Sequence, residues 1–182
     1  LGGKPLTAAS AAEVCRVFSR EVLDLVAPLV PATKVQAAFF ECFGAAGVAA
    51  FEATVRHAKE QGLIVIADVK RSDIGSTAEA YAQATIGATV VGGERLFELG
   101  ADAATVNPYF GWEGVEPFIR QAAEHGRGLF ILVRTSNPGA EQIQGLDSRG
   151  EPLFVRVGAL VAEWGRAHVG QCGYSCVGAV VG

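Results

Sequence analysis

Apolar positions 14, 18, 22, 25, 26 and 29 recur at helical spacing, and Pro28 and Pro31 close the segment. The pattern predicts an amphipathic helix over about 11–27, with its apolar stripe against a sheet. Residues 34–41 are short and β-rich, and 43–60 return to helical spacing until Gly62. A buried-strand run follows at 63–69, then a helix at 76–85 that opens on a candidate capping box, Ser76 with Glu79. A helix at about 93–99 ends at Gly100. Beyond it the pattern predicts strand 101–107, helix 112–124, strand 128–135, helix 152–167 and strand 175–181.

Strands and helices alternate with no hairpin signal recognised, which implies a parallel sheet with right-handed crossovers. Neither Gly-x-Gly-x-x-Gly nor a phosphate-loop Gly-x-x-x-x-Gly-Lys-Ser/Thr occurs, so a dinucleotide site is unsupported. Polar residues gather where strands end: Lys34 and Gln36, Asp68 and Lys70, Asn107, and 134–137. In a barrel those positions form the carboxyl-end rim that carries active sites. The expected fold is therefore α/β, a (β/α)8 TIM barrel of parallel strands, with residues 1–182 as a single domain covering about strands 2 to 6. A complete barrel takes about 250 residues.

Composition narrows the partners. The 182 residues are 50% hydrophobic and 19% charged, and 15 Lys+Arg against 19 Asp+Glu give a net charge of −4. No basic field exists to hold nucleic acid or an anionic membrane. The longest apolar runs, such as 63–67 and 129–133, fall far below the roughly 18 residues needed to span a bilayer. Residues 1–7 lack a basic start and an apolar stretch, and the chain has no Met, so no signal peptide is expected and the location reads as cytoplasmic. Cys15, Cys42, Cys172 and Cys176 lack both Cys-x-x-Cys spacing and a His at zinc-ligand spacing. They read as reduced cysteines acting as small apolar residues.

The densest chemistry is Asp68-Val-Lys70-Arg-Ser-Asp73-Ile-Gly-Ser-Thr77. Residues i and i+2 of a strand share a face, so Asp68 and Lys70 point together into the barrel mouth. A structural ion pair is the plain reading of Asp-x-Lys. Asp73 weakens it by adding a second carboxylate, since a buried charge array is costly unless something uses it. A Lys between carboxylates suits a general acid better than a Schiff-base nucleophile, and Lys70 reads as a proton donor.

Asp68-x-Lys70-x-x-Asp73-Ile-x-x-Thr77 resembles the signature of the orotidine 5′-phosphate decarboxylase family. Lys34-x-Gln-Ala-Ala-Phe-Phe-Glu41 and Asp102-Ala-Ala-Thr-Val-Asn-Pro-Tyr-Phe-Gly111 are similar to that family's second and fourth strands with their loops. Leu132-Val-Arg-Thr-Ser-Asn-Pro-Gly139 and Val177-Gly-Ala-Val-Val-Gly182 are similar to its fifth and sixth. The Lys-Arg-x-Asp-Ile-Gly-Ser-Thr and Thr-Ser-Asn-Pro-Gly forms look most like a bacterial branch common in actinobacteria.

The resemblance implies roles. Lys34 would bond the ribose and Asp68; Asp68 would sit beside the substrate carboxylate; Lys70 would protonate carbon-6. Asp73, Ile74 and Thr77 would reach across a homodimer interface into the partner's site, and Ser136 would contact the pyrimidine. The implied reaction turns orotidine 5′-monophosphate into UMP and CO2 in pyrimidine synthesis with no metal or organic cofactor. The family's phosphate grip follows its seventh and eighth strands, and residues 1–10 do not resemble its first, so the sequence reads as an internal portion of a barrel.

Two other functions remain open. One is a Mg-dependent sugar-phosphate decarboxylase or aldolase of the same barrel group, which needs oxygen ligands and loses activity on chelation. The other is a catalytically silent barrel fragment that pairs through the segment around 73–77. Elsewhere plain readings prevail. Phe39 and Phe40 read as packing residues, Trp112 and Trp164 as helix packing, and Arg71 and Arg134 as rim salt bridges. His57, His125 and His168 read as solvated helix positions. Residues 135–139 divide evenly between a turn and a functional loop.

Overall fold

Thr7 opens the first helix, α1 (Ala8–Val26): its hydroxyl accepts from Ser10 N at 3.1 Å while Ser10 Oγ accepts from Thr7 N at 2.8 Å. This reciprocal cap starts the helix before residue 11, where apolar spacing alone would begin it. The computed structural model describes residues 6–182; residues 1–5, most of the segment read for a leader, lie outside the described residues. In chain order follow β1 (Ala32–Gln36), α2 (Ala38–Glu41), α3 (Gly44–Glu60), β2 (Ile64–Arg71), α4 (Gly75–Thr85), β3 (Thr89–Val91) and β4 (Glu94–Leu96). Then come β5 (Ala103–Val106), α5 (Trp112–His125), β6 (Gly128–Arg134), a 3-10 turn (Pro138–Gln142), α6 (Leu153–Arg166) and β7 (Val177–Val181).

Five strands form one parallel sheet in the order β1-β2-β5-β6-β7. Alternation along them divides its two faces. Val35, Val65, Ala67, Ala104, Val106, Leu129, Ile131 and Val133 are buried in one apolar core with Phe51 and Val55 of α3, Phe118 and Ile119 of α5, and Val161 of α6. Full burial of a side chain such as Phe118 or Ile131 contributes about 1.5–3 kcal/mol. The opposite face of β1, β2 and β5 carries Lys34, Gln36, Asp68 and Thr105, which are joined by hydrogen bonds. One face thus holds the fold together, and the other is free to hold polar groups at the strand ends.

Several expectations are corrected. The helix expected at 93–99 is instead an antiparallel hairpin of β3 and β4, so a hairpin is present after all. Gly92 and Gly93, at φ +60° and +89°, supply its two-residue turn and override the helix-forming Glu94-Arg-Leu run. The strand expected over 34–41 stops at Gln36, and Phe39 and Phe40 lie on α2. Phe40 is buried against Phe51, but Phe39 is 72% exposed and packs no core. No capping box forms at Ser76: α4 starts at Gly75 after an uncapped Ile74, and Glu79 bonds Arg120, Gln83 and Gln121 instead.

α1 packs mainly on α3, not on the sheet, and buries Ala12 and Leu23. Phe18 and Val22 of the predicted stripe border a groove of about 660 Å³ beside β1, and Leu25 and Leu29 are exposed. All four cysteines are unpaired. Among the described residues no helix is long and apolar enough to cross a membrane.

Candidate functional site

The site is built where β1 and β2 end together. Their parallel register sets Lys34 opposite Ile66 and Gln36 opposite Asp68, so the side chains of both strands meet around one carboxylate. Lys34 Nζ donates to Asp68 Oδ2 at 2.6 Å, and Lys70 Nζ donates to Oδ1 at 2.5 Å. Gln36 Nε2 donates to Oδ2 at 3.0 Å, and Thr105 Oγ1 of β5 donates to Oδ1 at 2.9 Å. Each oxygen of Asp68 therefore takes one ammonium and one neutral donor.

Asp68 is 4% exposed, whereas the Lys34 and Lys70 side chains reach solvent. Burial pushes the carboxyl up, but the bonds from Lys34, Lys70 and Thr105 together outweigh it and lower its pKa to about 2. The carboxylate stays ionised and pins both ammoniums. The three charges sum to +1, an excess facing the open strand ends.

Lys70 does not continue β2 regularly. Its φ is +45°, and the β2–β5 register shifts between Ala67 and Arg71. The shift is a bulge that re-aims the side chain. Even so, Lys70 and Asp68 meet as the simple i, i+2 argument predicts.

The other expected residues are distributed along the same rim and beyond it. Asp73 leaves the strand and its Oδ1 accepts from Ile74 N at 2.9 Å. No hydrogen bond or ion pair joins it to Lys70, so within one chain Lys70 has one carboxylate partner rather than two. Ile74 and Thr77 are exposed at the start of α4, and Ser136 is exposed after β6. Residues 135–139 form a turn locked by Gln144, which accepts from Thr135 N and donates to Thr135 Oγ1, both at 2.8 Å. Arg71 pairs with Glu41 and Arg134 with Glu141, the rim salt bridges expected.

Among the histidines, His57 is no solvated position: its side chain is 13% exposed and its Nε2 lies 2.6 Å from Asp24 Oδ1, tying α3 to α1. His125 packs edge-on against Phe97. Trp112 and Trp164 pack on each other, with ring centroids 5.9 Å apart. Two members of the array were not singled out from sequence as site residues, Gln36 and Thr105. Gln36 shows as a polar strand end; Thr105 reads as an ordinary strand former, and its one signal is a hydroxyl in an Ala/Val strand.

Among the described residues no three His, Cys, Asp or Glu side chains group to hold a metal ion. What the array offers is fixed positive charge beside a buried anion. Such a pair of ammoniums can stabilise negative charge that develops on a bound molecule and can deliver a proton to it.

A parallel sheet with a Lys–Asp–Lys array at its carboxyl edge defines the class, an α/β-barrel protein with a charged polar site at the strand ends. The chain matches the model of the orotidine 5′-phosphate decarboxylase / HUMPS family over residues 16–181, and it belongs to that family. It is 45% identical over 165 residues to an orotidine 5′-phosphate decarboxylase of Rhodopirellula baltica, covering 91% of this chain and 54% of the relative. A crystallised Streptomyces avermitilis protein assigned as an orotidine 5′-phosphate decarboxylase is 36% identical with a TM-score of 0.79, covering 93% of this chain and 56% of that one. Leishmania donovani OMP decarboxylase is 32% identical with a TM-score of 0.70, covering 87% and 56%. The chain thus spans about half the length of the curated relatives it matches.

Proposed function

We propose that the protein decarboxylates orotidine 5′-monophosphate to UMP and CO2, in the cytoplasm and as a homodimer, with residues 1–182 forming one barrel unit. The observation that carries the reading is the pair of ammoniums, Lys34 and Lys70, held on the two oxygens of one buried carboxylate in a chain of this family. Loss of CO2 breaks a bond to carbon-6 and leaves the electron pair there. Lys70 stands as the cation that stabilises this pair and then gives its Nζ proton to carbon-6, forming the new C–H bond; water restores the proton to Lys70.

Asp68 pins Lys70 and lies beside the leaving carboxylate, and Lys34 holds Asp68 and the ribose. Ser136 contacts the pyrimidine. Asp73, Ile74 and Thr77 serve the partner's site, which suits the exposure of Ile74 and Thr77 and the detachment of Asp73 from the array of its own chain. Binding of the remote phosphate contributes to transition-state stabilisation.

The reading needs neither metal nor organic cofactor. Its test is UMP formation by the natural full-length protein with and without EDTA, in wild type and Lys70→Ala. The expected result is EDTA-insensitive turnover that falls by several orders of magnitude in a folded Lys70→Ala variant. No UMP formation, with Mg²⁺-dependent and EDTA-sensitive turnover of a sugar phosphate instead, would replace the reading with the sugar-phosphate branch of the barrel group. Near-normal turnover in Lys70→Ala would remove Lys70 from the proton-transfer step.

A further inference from the structure

The bulge in β2 leaves Lys70 with a main-chain problem that a single side chain resolves. Between Ala67 and Arg71 the ladder to β5 loses register, and Lys70 takes up φ +45°, a conformation costly for a residue with a Cβ. Regular pairing resumes where Arg71 faces Val106 and Asn107 N donates to Arg71 O at 3.0 Å. Within the gap the Lys70 N–H donates to Thr105 Oγ1 at 3.0 Å. The same hydroxyl donates to Asp68 Oδ1 at 2.9 Å, the oxygen that receives Lys70 Nζ.

The direction of every bond in this ring is fixed. A backbone N–H only donates, an ionised carboxylate only accepts, and a hydroxyl has one proton to give. Thr105 therefore accepts from the Lys70 main chain and donates to the carboxylate that holds the Lys70 ammonium. It is buried, 3% exposed, on a strand whose other residues are Ala and Val.

We propose that Thr105 is the positioning residue of this site, its hydroxyl fixing Lys70 at both ends, by the backbone at the bulge and through Asp68 at the ammonium. The inference rests on the decarboxylase reading and adds to it a residue that touches neither substrate nor reacting atoms. A ring of this kind sets where the Lys70 proton sits relative to a bound pyrimidine. Displacement of a reacting group by about 1 Å costs about a hundredfold in rate.

Thr105→Val keeps the shape and removes the hydroxyl; Thr105→Ser keeps the hydroxyl. In the natural full-length protein the expected result for Thr105→Val is a kcat lowered about a hundredfold with little change in KM. Thr105→Ser recovers most of that loss. The acid limb of the pH profile supplies a readout that a purely structural role would leave alone. Asp68 loses a stabilising donor in Thr105→Val, so its carboxyl titrates at higher pH and the acid limb moves up with it. A 13C NMR titration of Asp68 reports the same shift without any turnover and serves if Thr105→Val proves too unstable to assay, by comparing wild type with Thr105→Ser and Thr105→Ala.

Wild-type kcat in folded Thr105→Val, or an Asp68 titration unmoved when the hydroxyl is removed, overturns the assignment of Thr105. A wild-type protein that forms no UMP overturns the decarboxylase reading instead, and the two failures are told apart by the wild-type control.

Discussion

A carboxylate with almost no exposure normally resists ionisation, and Asp68 is ionised because four donors converge on it, two of them cationic. Its folded pKa, about 2, lies below the value of about 3.9 for an unfolded Asp. A lowered folded value means that the unfolded chain binds the proton first as pH falls. The stability contributed by Asp68 is therefore complete above about pH 4 and is lost as pH falls toward its folded pKa, about 2. Asp68→Asn removes this dependence. Denaturant midpoints compared at about pH 6 and pH 3 are expected to fall less in Asp68→Asn than in wild type, and an equal fall in both would contradict the linkage. The Asp68–Lys70 pair was legible in the sequence, because period-two alternation puts Lys70 on the face of Asp68; the role of Lys34, in the middle of β1, came only through the family resemblance. The left-handed turn at Lys70 was not legible, since no residue type announces a positive φ as glycine does. Asp73 was misplaced beside Lys70 for a related reason: the chain leaves the strand after Arg71, and alternation no longer applies.

At the scale of elements, α2 follows directly on β1, which carries Lys34 and Gln36, and packs against α3. The two helices meet at Gly47, where a Cβ would stand 1.7 Å from the carbonyl oxygen of Phe40. That neighbour is backbone and cannot rotate aside, so Gly47→Ala must push α2 away from α3. The overpacking costs about 1–3 kcal/mol, against a helix-propensity gain of up to about 1 kcal/mol. Urea unfolding is expected to show a net loss of stability, and a stabilised variant would mean that α2 yields without strain. Helices α3, α5 and α6 were foreseen within a residue or two, because their apolar spacing faces the core that buries Val55, Phe118 and Val161. The failures fall where local geometry defeats periodicity. The short α2 is too brief to show a helical period, and the β3–β4 hairpin depends on two positive-φ glycines within a run of good helix formers.

The whole molecule presents two features that bear on assembly. Ile74 and Trp112 are exposed large apolar side chains, and with Pro117 and Arg120 they line a cavity of about 740 Å³ between the starts of α4 and α5. Asp73 and Thr77 flank this surface in sequence and stand apart from the Lys34–Asp68–Lys70 array of their own chain. An isologous dimer formed through such a face would carry the segment around 73–77 of each chain toward the other, giving two equivalent sites built from both chains. Hybrid dimers test this arrangement directly. Lys70→Ala and Asp73→Ala homodimers each carry a defect in both sites. In a hybrid, the intact Lys70 belongs to the Asp73→Ala chain and the intact Asp73 to its partner, so one of the two sites is whole and the other has both defects. Equal mixing makes about half of the dimers hybrid, and activity is expected to rise from the parental background to about a quarter of wild type. Separately tagged chains purified through both tags confirm that hybrids form. Hybrids that remain at the parental level would place Asp73 in the site of its own chain and remove the reason for the dimer to share its sites.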